Sequence, residues 1–159
     1  MSNSFNKRID SKSSSVIRGT IYSKNGKKLA YTDTKGTDRD LSDDTREYPY
    51  GEVFAHVIGY SDSKLGTTGL ESVENFELLT SNAFFLEKLQ NEFSEKKNRG
   101  DTVVTTLDAN LQQAAYDALG SNKGAAIVME ASTGKILAMV SKPAYDPNNI
   151  LSDWSELNS

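Results

Sequence analysis

The pattern S-x-x-K is matched by Ser61 to Lys64, Ser94 to Lys97 and Ser132 to Lys135. A serine hydroxyl next to a lysine amine is an arrangement for acyl transfer through an acyl-serine intermediate, with the amine taking the hydroxyl proton. That chemistry needs the serine at a helix start, so that the lysine one turn later shares its face. It also needs a second serine or tyrosine and a K-[ST]-G strand converging on the pair. None of the three stretches meets these conditions. Ser61 and Lys64 fall in a loop, Ser94 and Lys97 at the polar end of a helix, and Ser132 and Lys135 on either side of a glycine turn. K-[ST]-G does not occur, and an S-x-N match, Ser4-Phe5-Asn6, sits in a loose N-terminal stretch. Ser132-Thr133-Gly134 therefore reads as a three-residue hairpin connection with Gly134 in the left-handed position.

Two other residues invite a chemical reading. His56 is the single histidine, and it lies in an apolar run. With no second histidine and no cysteine, neither a metal site nor a Ser-His triad has its other members, so His56 is assigned a structural role. Glu71 follows Gly69-Leu70 at an expected helix start. Its carboxylate either complements the helix dipole or forms a partly buried salt bridge with a fixed arginine, for which Arg18 is the candidate.

The elements that must position these residues are short. Residues 1–17 read as a disordered basic tail, with order beginning near Val16. "VIRGTIYSKNGKKLAYT" reads as a hairpin about Asn25-Gly26, a two-residue turn signal. "DTKGTDRDLSDDTRE" is a polar loop, and "EVFAHVIGY" (52–60) is strand-like. Leu70, Val73, Phe76 and Leu79 recur at helical spacing and predict an amphipathic helix over 70–79. Phe85, Leu86, Leu89 and Phe93 predict a second helix within 83–97. Asp108 is the expected N-cap of a third, with Leu111, Ala114, Ala115, Ala118 and Leu119 on one face and Gly120 as its stop. Two β-rich runs, 124–131 and 135–141, then form the hairpin that ends at Pro143 and Pro147. The composition shifts at Asn98–Asp101, where a domain boundary is expected.

Composition narrows the function classes. The chain has 159 residues, 36% hydrophobic and 25% charged, with a net charge of −4 and no cysteine. The acidic balance gives no basis for nucleic-acid binding. No apolar run reaches the roughly 20 residues that cross a bilayer. The first 28 residues are nonetheless basic, with Lys7, Arg8, Lys12, Arg18, Lys24, Lys27 and Lys28 against Asp10. That is either a solvated arm or a segment near a membrane surface.

Five segments, in order, resemble the class B penicillin-binding proteins. They are "RGTIYSKNGKKLA" (18–30), "YPYGEVFAHVIGY" (48–60), "GTTGLESVENFELLT" (66–80), "GDTVVTTLDANLQQAAYDAL" (100–119) and "KGAAIVMEASTGKILAMVSKPAYDPN" (123–148). The N-terminal region most resembles the penicillin-binding protein A type. The chain departs from the family at Ser23-Lys24, where Asp-Arg is usual, and this puts in question any salt bridge made there. Arg18, Gly19, Asn25 and Gly26 keep the family pattern.

The resemblance implies an α+β fold: a pedestal or dimerisation domain over 18–99, then a helix and hairpin from an incomplete antiparallel transpeptidase sheet over 100–159. It implies a parent that is held by a transmembrane helix missing from this chain and that cross-links peptidoglycan stem peptides on the extracellular side. That parent would bind β-lactams. Other cell-wall synthesis proteins, or a second copy, are the implied partners, and no cofactor is implied. Arg18, Gly19, Asn25, Gly26, Gly69, Glu71 and Gly134 are the structural positions carried over, with Arg18 and Glu71 at the junction of pedestal and catalytic domain. The catalytic motifs lie beyond this segment, so no catalytic residue is assigned. Hairpin 124–141, lacking the rest of its sheet, must pack on the pedestal or pair with another copy. The competing reading is a complete, non-enzymatic exported binding module.

Overall fold

The structure, a computed structural model, describes residues 16–35, 44–80 and 98–157. Strands β1 (Val16–Ile17), β2 (Ile21–Tyr22), β3 (Lys28–Asp33) and β4 (Thr45–Glu47) come first. A 3-10 turn at Gly51–Val53 leads into α1 (Ala55–Ile58), followed by β5 (Ser61–Asp62), β6 (Gly66–Thr67), α2 (Gly69–Val73) and α3 (Asn75–Leu79). After these come β7 (Asn98–Arg99), β8 (Val103–Val104), α4 (Ala109–Ala118), β9 (Gly124–Met129) and β10 (Ile136–Lys142). A second 3-10 turn, Pro147–Asn149, leads into α5 (Ile150–Leu157). The fold is α+β with small, incomplete sheets. Most of the tail over 1–17 and the helix expected over 83–97 lie outside the described residues.

The largest sheet has the order β4-β3-β2-β8. β2 and β3 are antiparallel, whereas β8 runs parallel to β2 with Ile21 opposite Val103. β7 likewise runs parallel to β1. Glycine makes this crossing possible. The Gly19 N–H donates to the Leu78 carbonyl at 2.9 Å and the Gly100 N–H to the Ile17 carbonyl at 2.8 Å. A Cβ on Gly19 would lie 1.9 Å from the Asp101 carbonyl oxygen, and one on Gly100 equally close to that of Leu78. Burial is continuous across this crossing. Ile21, Leu29, Phe54, Ile58 and Leu78 form one core with Leu107, Ala109 and Ile150.

Several local readings of the sequence need correction. Residues 52–60 do not form a strand: they make the first 3-10 turn and α1. Phe54, Ala55 and Ile58 are buried while Glu52 and His56 are exposed, which is helical spacing without alternation. The helix over 70–79 is two helices that meet at Glu74. Its apolar face is rotated: Glu71, Leu78 and Leu79 are buried, and Val73 and Phe76 are 75% and 57% exposed. In α4 the Asp108 carboxylate accepts from the Asn110 and Leu111 N–H groups. The buried residues there are Ala109 and Gln112, while Ala114 and Ala118 are exposed. The β2–β3 connection is longer than two residues, with Ser23 N–H bonded to the Lys27 carbonyl and only Gly26 at positive φ. The β9–β10 connection has four residues, Ala131 to Gly134, with Glu130 and Lys135 bonded across it.

Candidate functional site

Glu71 is fully buried at the first turn of α2, and two arginines converge on it. Arg18 follows β1, and its Nε donates to Glu71 Oε2 at 2.6 Å. Its two Nη groups donate to the Asn75 side-chain oxygen and to the Glu71 carbonyl. Arg46, in the middle of β4, donates from Nε to Glu71 Oε1 at 2.8 Å and from Nη1 to the Gly19 carbonyl at 2.7 Å. Arg46 Nη2 is buried with no hydrogen-bond partner among the described residues. The Tyr48 hydroxyl donates to Glu71 Oε1 at 3.3 Å and accepts from the Ser61 N–H at 2.7 Å. Burial lowers the Arg18 pKa and Glu71 opposes that shift, yet a guanidinium stays charged at any ordinary pH. Burial, then the Glu71 charge, raises the Tyr48 pKa, so its hydroxyl remains a donor.

Tyr48 also faces a second arrangement. Its backbone N–H and carbonyl are both held by the Asn148 amide, at 2.9 and 3.0 Å. Gln112 does the same for Met139, accepting from its N–H at 2.8 Å and donating to its carbonyl at 2.7 Å. The Gln112 amide nitrogen also donates to the Val53 carbonyl at 2.9 Å. The Tyr145 hydroxyl reaches the Ala55 carbonyl at 3.0 Å. His56 Nε2 lies 2.8 Å from the Pro143 carbonyl, so this nitrogen carries the proton. The Tyr116 hydroxyl donates to Glu52 at 2.6 Å, and burial together with that bond raises its pKa to about 12. Residues 48–56 are thus joined to residues 112–148 mainly through neutral amides, hydroxyls and one imidazole, with the Glu52 side chain as the acidic member. A polar cleft of about 510 Å³ opens beside this joint, between Asp44–Tyr48, Ser61–Ser63 and Pro147–Ser152.

The structure brings Arg18 and Glu71 together, with the Gly19 carbonyl beside them accepting from Arg46. Gly69 starts α2 at a φ of 55°, where a Cβ would lie 2.7 Å from the Gly59 nitrogen. Asn25 and Gly26 form the β2–β3 turn instead, and Gly134 lies at the exposed β9–β10 tip. Despite the family departure at Ser23-Lys24, Lys24 Nζ pairs with Asp108 at 3.2 Å. Arg46, Tyr48, Gln112 and Asn148 went unassigned in the sequence. A buried acid answered by one arginine was the signal that a second cation had to be sought. Of the S-x-x-K stretches, Ser61 to Lys64 is a β5 turn closed by the Asp62 side chain, and Ser132 is exposed in a loop. Ser94 to Lys97 lies outside the described residues. Among the described residues no cluster of acidic or histidine side chains could hold a metal, and no helix is long and apolar enough to cross a membrane.

A buried two-arginine, one-carboxylate cluster inside a short-stranded unit, tied by amides to a following helix and hairpin, defines a two-part structural module. The chain belongs to the penicillin-binding proteins. The family model of the penicillin-binding protein A dimerisation domain matches residues 18–103, and that of the penicillin-binding protein transpeptidase domain matches 124–158. The peptidoglycan D,D-transpeptidase PbpA of Mycobacterium tuberculosis is 40% identical over 141 residues, covering 84% of this chain and 28% of that protein. Penicillin-binding protein 3 of Bacillus subtilis is 35% identical over 133 residues, covering 70% and 20%. The imipenem acyl-enzyme complex of penicillin-binding protein A from M. tuberculosis superposes with a TM-score of 0.77 at 36% identity, covering 91% of this chain and 36% of that one. The chain therefore spans less than a third of the length of these curated relatives.

Proposed function

We propose that this chain is the non-catalytic N-terminal part of a peptidoglycan D,D-transpeptidase and that it positions the catalytic domain. Residues 18–99 serve as the pedestal and residues 100–159 as the opening of the penicillin-binding domain. Arg18 and Glu71 brace the pedestal side of the junction, with Gly19, Gly69 and the Asn25-Gly26 turn shaping the backbone around them. Gly134 turns the first hairpin of the catalytic domain. The observation that carries this reading is the joint itself. Gln112, Tyr145 and Asn148 grip backbone groups of residues 48–55, in an arrangement that fixes orientation and offers no nucleophile. In this reading the whole protein is anchored in the cell membrane, acts outside it on stem peptides and binds β-lactams. Its partners are other cell-wall synthesis proteins or a second copy.

Intact mass spectrometry after incubation with benzylpenicillin tests the non-catalytic assignment. The mass of the chain is expected to stay unchanged, and a stoichiometric covalent adduct would overturn the assignment. The positioning role is tested by joining the chain to the catalytic part of a relative. Asn148→Ala and Gln112→Ala should then slow acylation of the distant serine, and unaltered acylation rates would reject that role.

A further inference from the structure

The β2–β3 turn carries a reactive pair that its own hydrogen bonds hold apart. Asn25 and Gly26 are both exposed, and Gly26 sits at a φ of 75°. In an Asn-Gly pair the glycine nitrogen can attack the asparagine side-chain carbonyl carbon, because glycine has no Cβ to block the approach. Packing does not prevent the attack here, since a Cβ on Gly26 would meet no atom within 4 Å. The restraint comes from Ser23, whose side chain is fully buried. Its hydroxyl donates to Asn25 Oδ1 at 2.5 Å and accepts from the Lys27 N–H at 3.0 Å. Its carbonyl accepts from the Gly26 N–H at 3.0 Å. The Ser23 N–H is itself fixed on the Lys27 carbonyl at 2.9 Å. One anchored residue thus holds both reacting groups, the Asn25 amide and the Gly26 nitrogen.

We propose that Asn25 is a site of spontaneous deamidation and that Ser23 holds the reaction in check. Ring closure needs the Asn25 side chain and the peptide after it to turn toward each other, which breaks both bonds to Ser23. Once they are released, the Gly26 nitrogen loses its proton and bonds to Asn25 Cγ. The bond from Cγ to Nδ2 breaks, and the amide nitrogen leaves as ammonia with that proton. The five-membered imide then takes up water, the sole co-reactant. Opening at Cγ gives aspartate, and opening at the main-chain carbonyl carbon gives isoaspartate. Either product sets a carboxylate beside Lys24, whose N–H holds the Leu107 carbonyl at 2.9 Å and whose Nζ meets Asp108 at 3.2 Å. The modification therefore falls where the turn touches the start of α4. It rests on contacts within the turn and not on the transpeptidase reading, so each can fail separately.

Peptide mapping by mass spectrometry tests this on the 159-residue chain aged in mildly alkaline buffer. Aspartate and isoaspartate at position 25 should accumulate slowly in the folded chain. The same chain in denaturant, with both bonds to Ser23 lost, should convert at least about tenfold faster. Ser23→Ala removes the hydroxyl bond alone and should raise the folded-state rate by about two- to tenfold. Asn122, also exposed, serves as the internal clock, and its rate should not change. Ser23→Cys fills nearly the same space with a weak donor, so it should also speed conversion, and it covers the case in which the alanine variant fails to fold. Equal folded and denatured rates overturn the proposal. So does a folded Ser23 variant that converts at the wild-type rate, or one that speeds Asn25 and Asn122 alike.

Discussion

The buried cluster around Glu71 and the joint around Gln112 and Asn148 hold neighbouring parts of one molecule with opposite chemistry. The cluster uses three full charges in a space closed to solvent. The joint uses neutral amides laid against backbone groups as a strand would be. Charges taken out of water are costly to bury and more costly to orphan. Amides lose less when separated, because each partner returns to water as an ordinary polar group. The contrast assigns rigidity to the inside of the N-terminal unit and leaves the connection to the following hairpin the softer of the two.

The largest effect should come from breaking the cluster. Glu71→Gln leaves two guanidinium groups facing each other without a counter-ion and should cost about 3–5 kcal/mol in denaturant unfolding. A loss under about 1 kcal/mol would mean the cluster is open to water and would erase the contrast. Reversing the Arg18–Glu71 pair does not rescue the fold, because Arg46 also depends on Glu71. The double variant Arg18→Glu with Glu71→Arg should remain as unstable as the worse single variant. Substantial recovery would show that Arg46 contributes little.

The joint comes next. Gln112→Leu strands the Met139 N–H and carbonyl and the Val53 carbonyl, and should cost about 1–3 kcal/mol. Hydrogen exchange sharpens the test. Protection should fall in β10 and around Val53 while Arg18 and its neighbours stay protected, whereas uniform loss would join the two regions into one cooperative unit.

Tyr48 touches both regions, and pH separates its part. Its pKa is raised in the folded state, so its contribution is intact below the ordinary tyrosine value of 10.0. Above that value the unfolded chain ionises first, and stability falls as pH rises. Tyr48→Phe should lower stability at neutral pH by about 0.5–1.5 kcal/mol and flatten part of the alkaline decline. The rest belongs to Tyr116 and Tyr145, whose pKa values are also raised by burial. An unchanged alkaline slope in the Tyr48→Phe variant would place its hydroxyl in contact with solvent.

How far these arrangements could be read in advance depends on how local their signals are. The Asp108 cap was legible because a cap is a property of four consecutive residues. For Glu71 the sequence left helix-dipole and salt-bridge readings open, and the structure has it in the first turn of α2 and paired at once. Arg46 was hidden because it sits in a charged stretch that reads as loop, and only pairing with β3 turns it inward. Gln112 and Asn148 carry no motif, since an amide matching a peptide group is visible only when the distant peptide is in place. The error at 52–60 has another cause. A short apolar run suits a buried strand and a buried helix equally, and here the spacing of Phe54, Ala55 and Ile58 decides it.

The smallest effect belongs to an exposed ion pair that crosses to the C-terminal side. Lys24 meets Asp108 at 3.2 Å with its side chain largely in solvent, and Asp108 is primarily a helix cap. The cap bond from Leu111, followed by Lys24, holds the Asp108 carboxyl below its ordinary value. A depressed acid stabilises the fold above that ordinary value, and the contribution is lost as pH falls below it. Lys24→Ala should barely move the melting temperature at roughly 0.15 M salt, where exposed pairs are screened. Asp108→Ala should lower it clearly, and Asp108→Asn should keep the cap while removing the acid-range dependence. If Lys24→Ala instead matched Asp108→Ala, the ion pair would outweigh the cap. The joint would then carry a charged tie like the one that holds the cluster, and the division between charged interior and neutral joint would no longer stand.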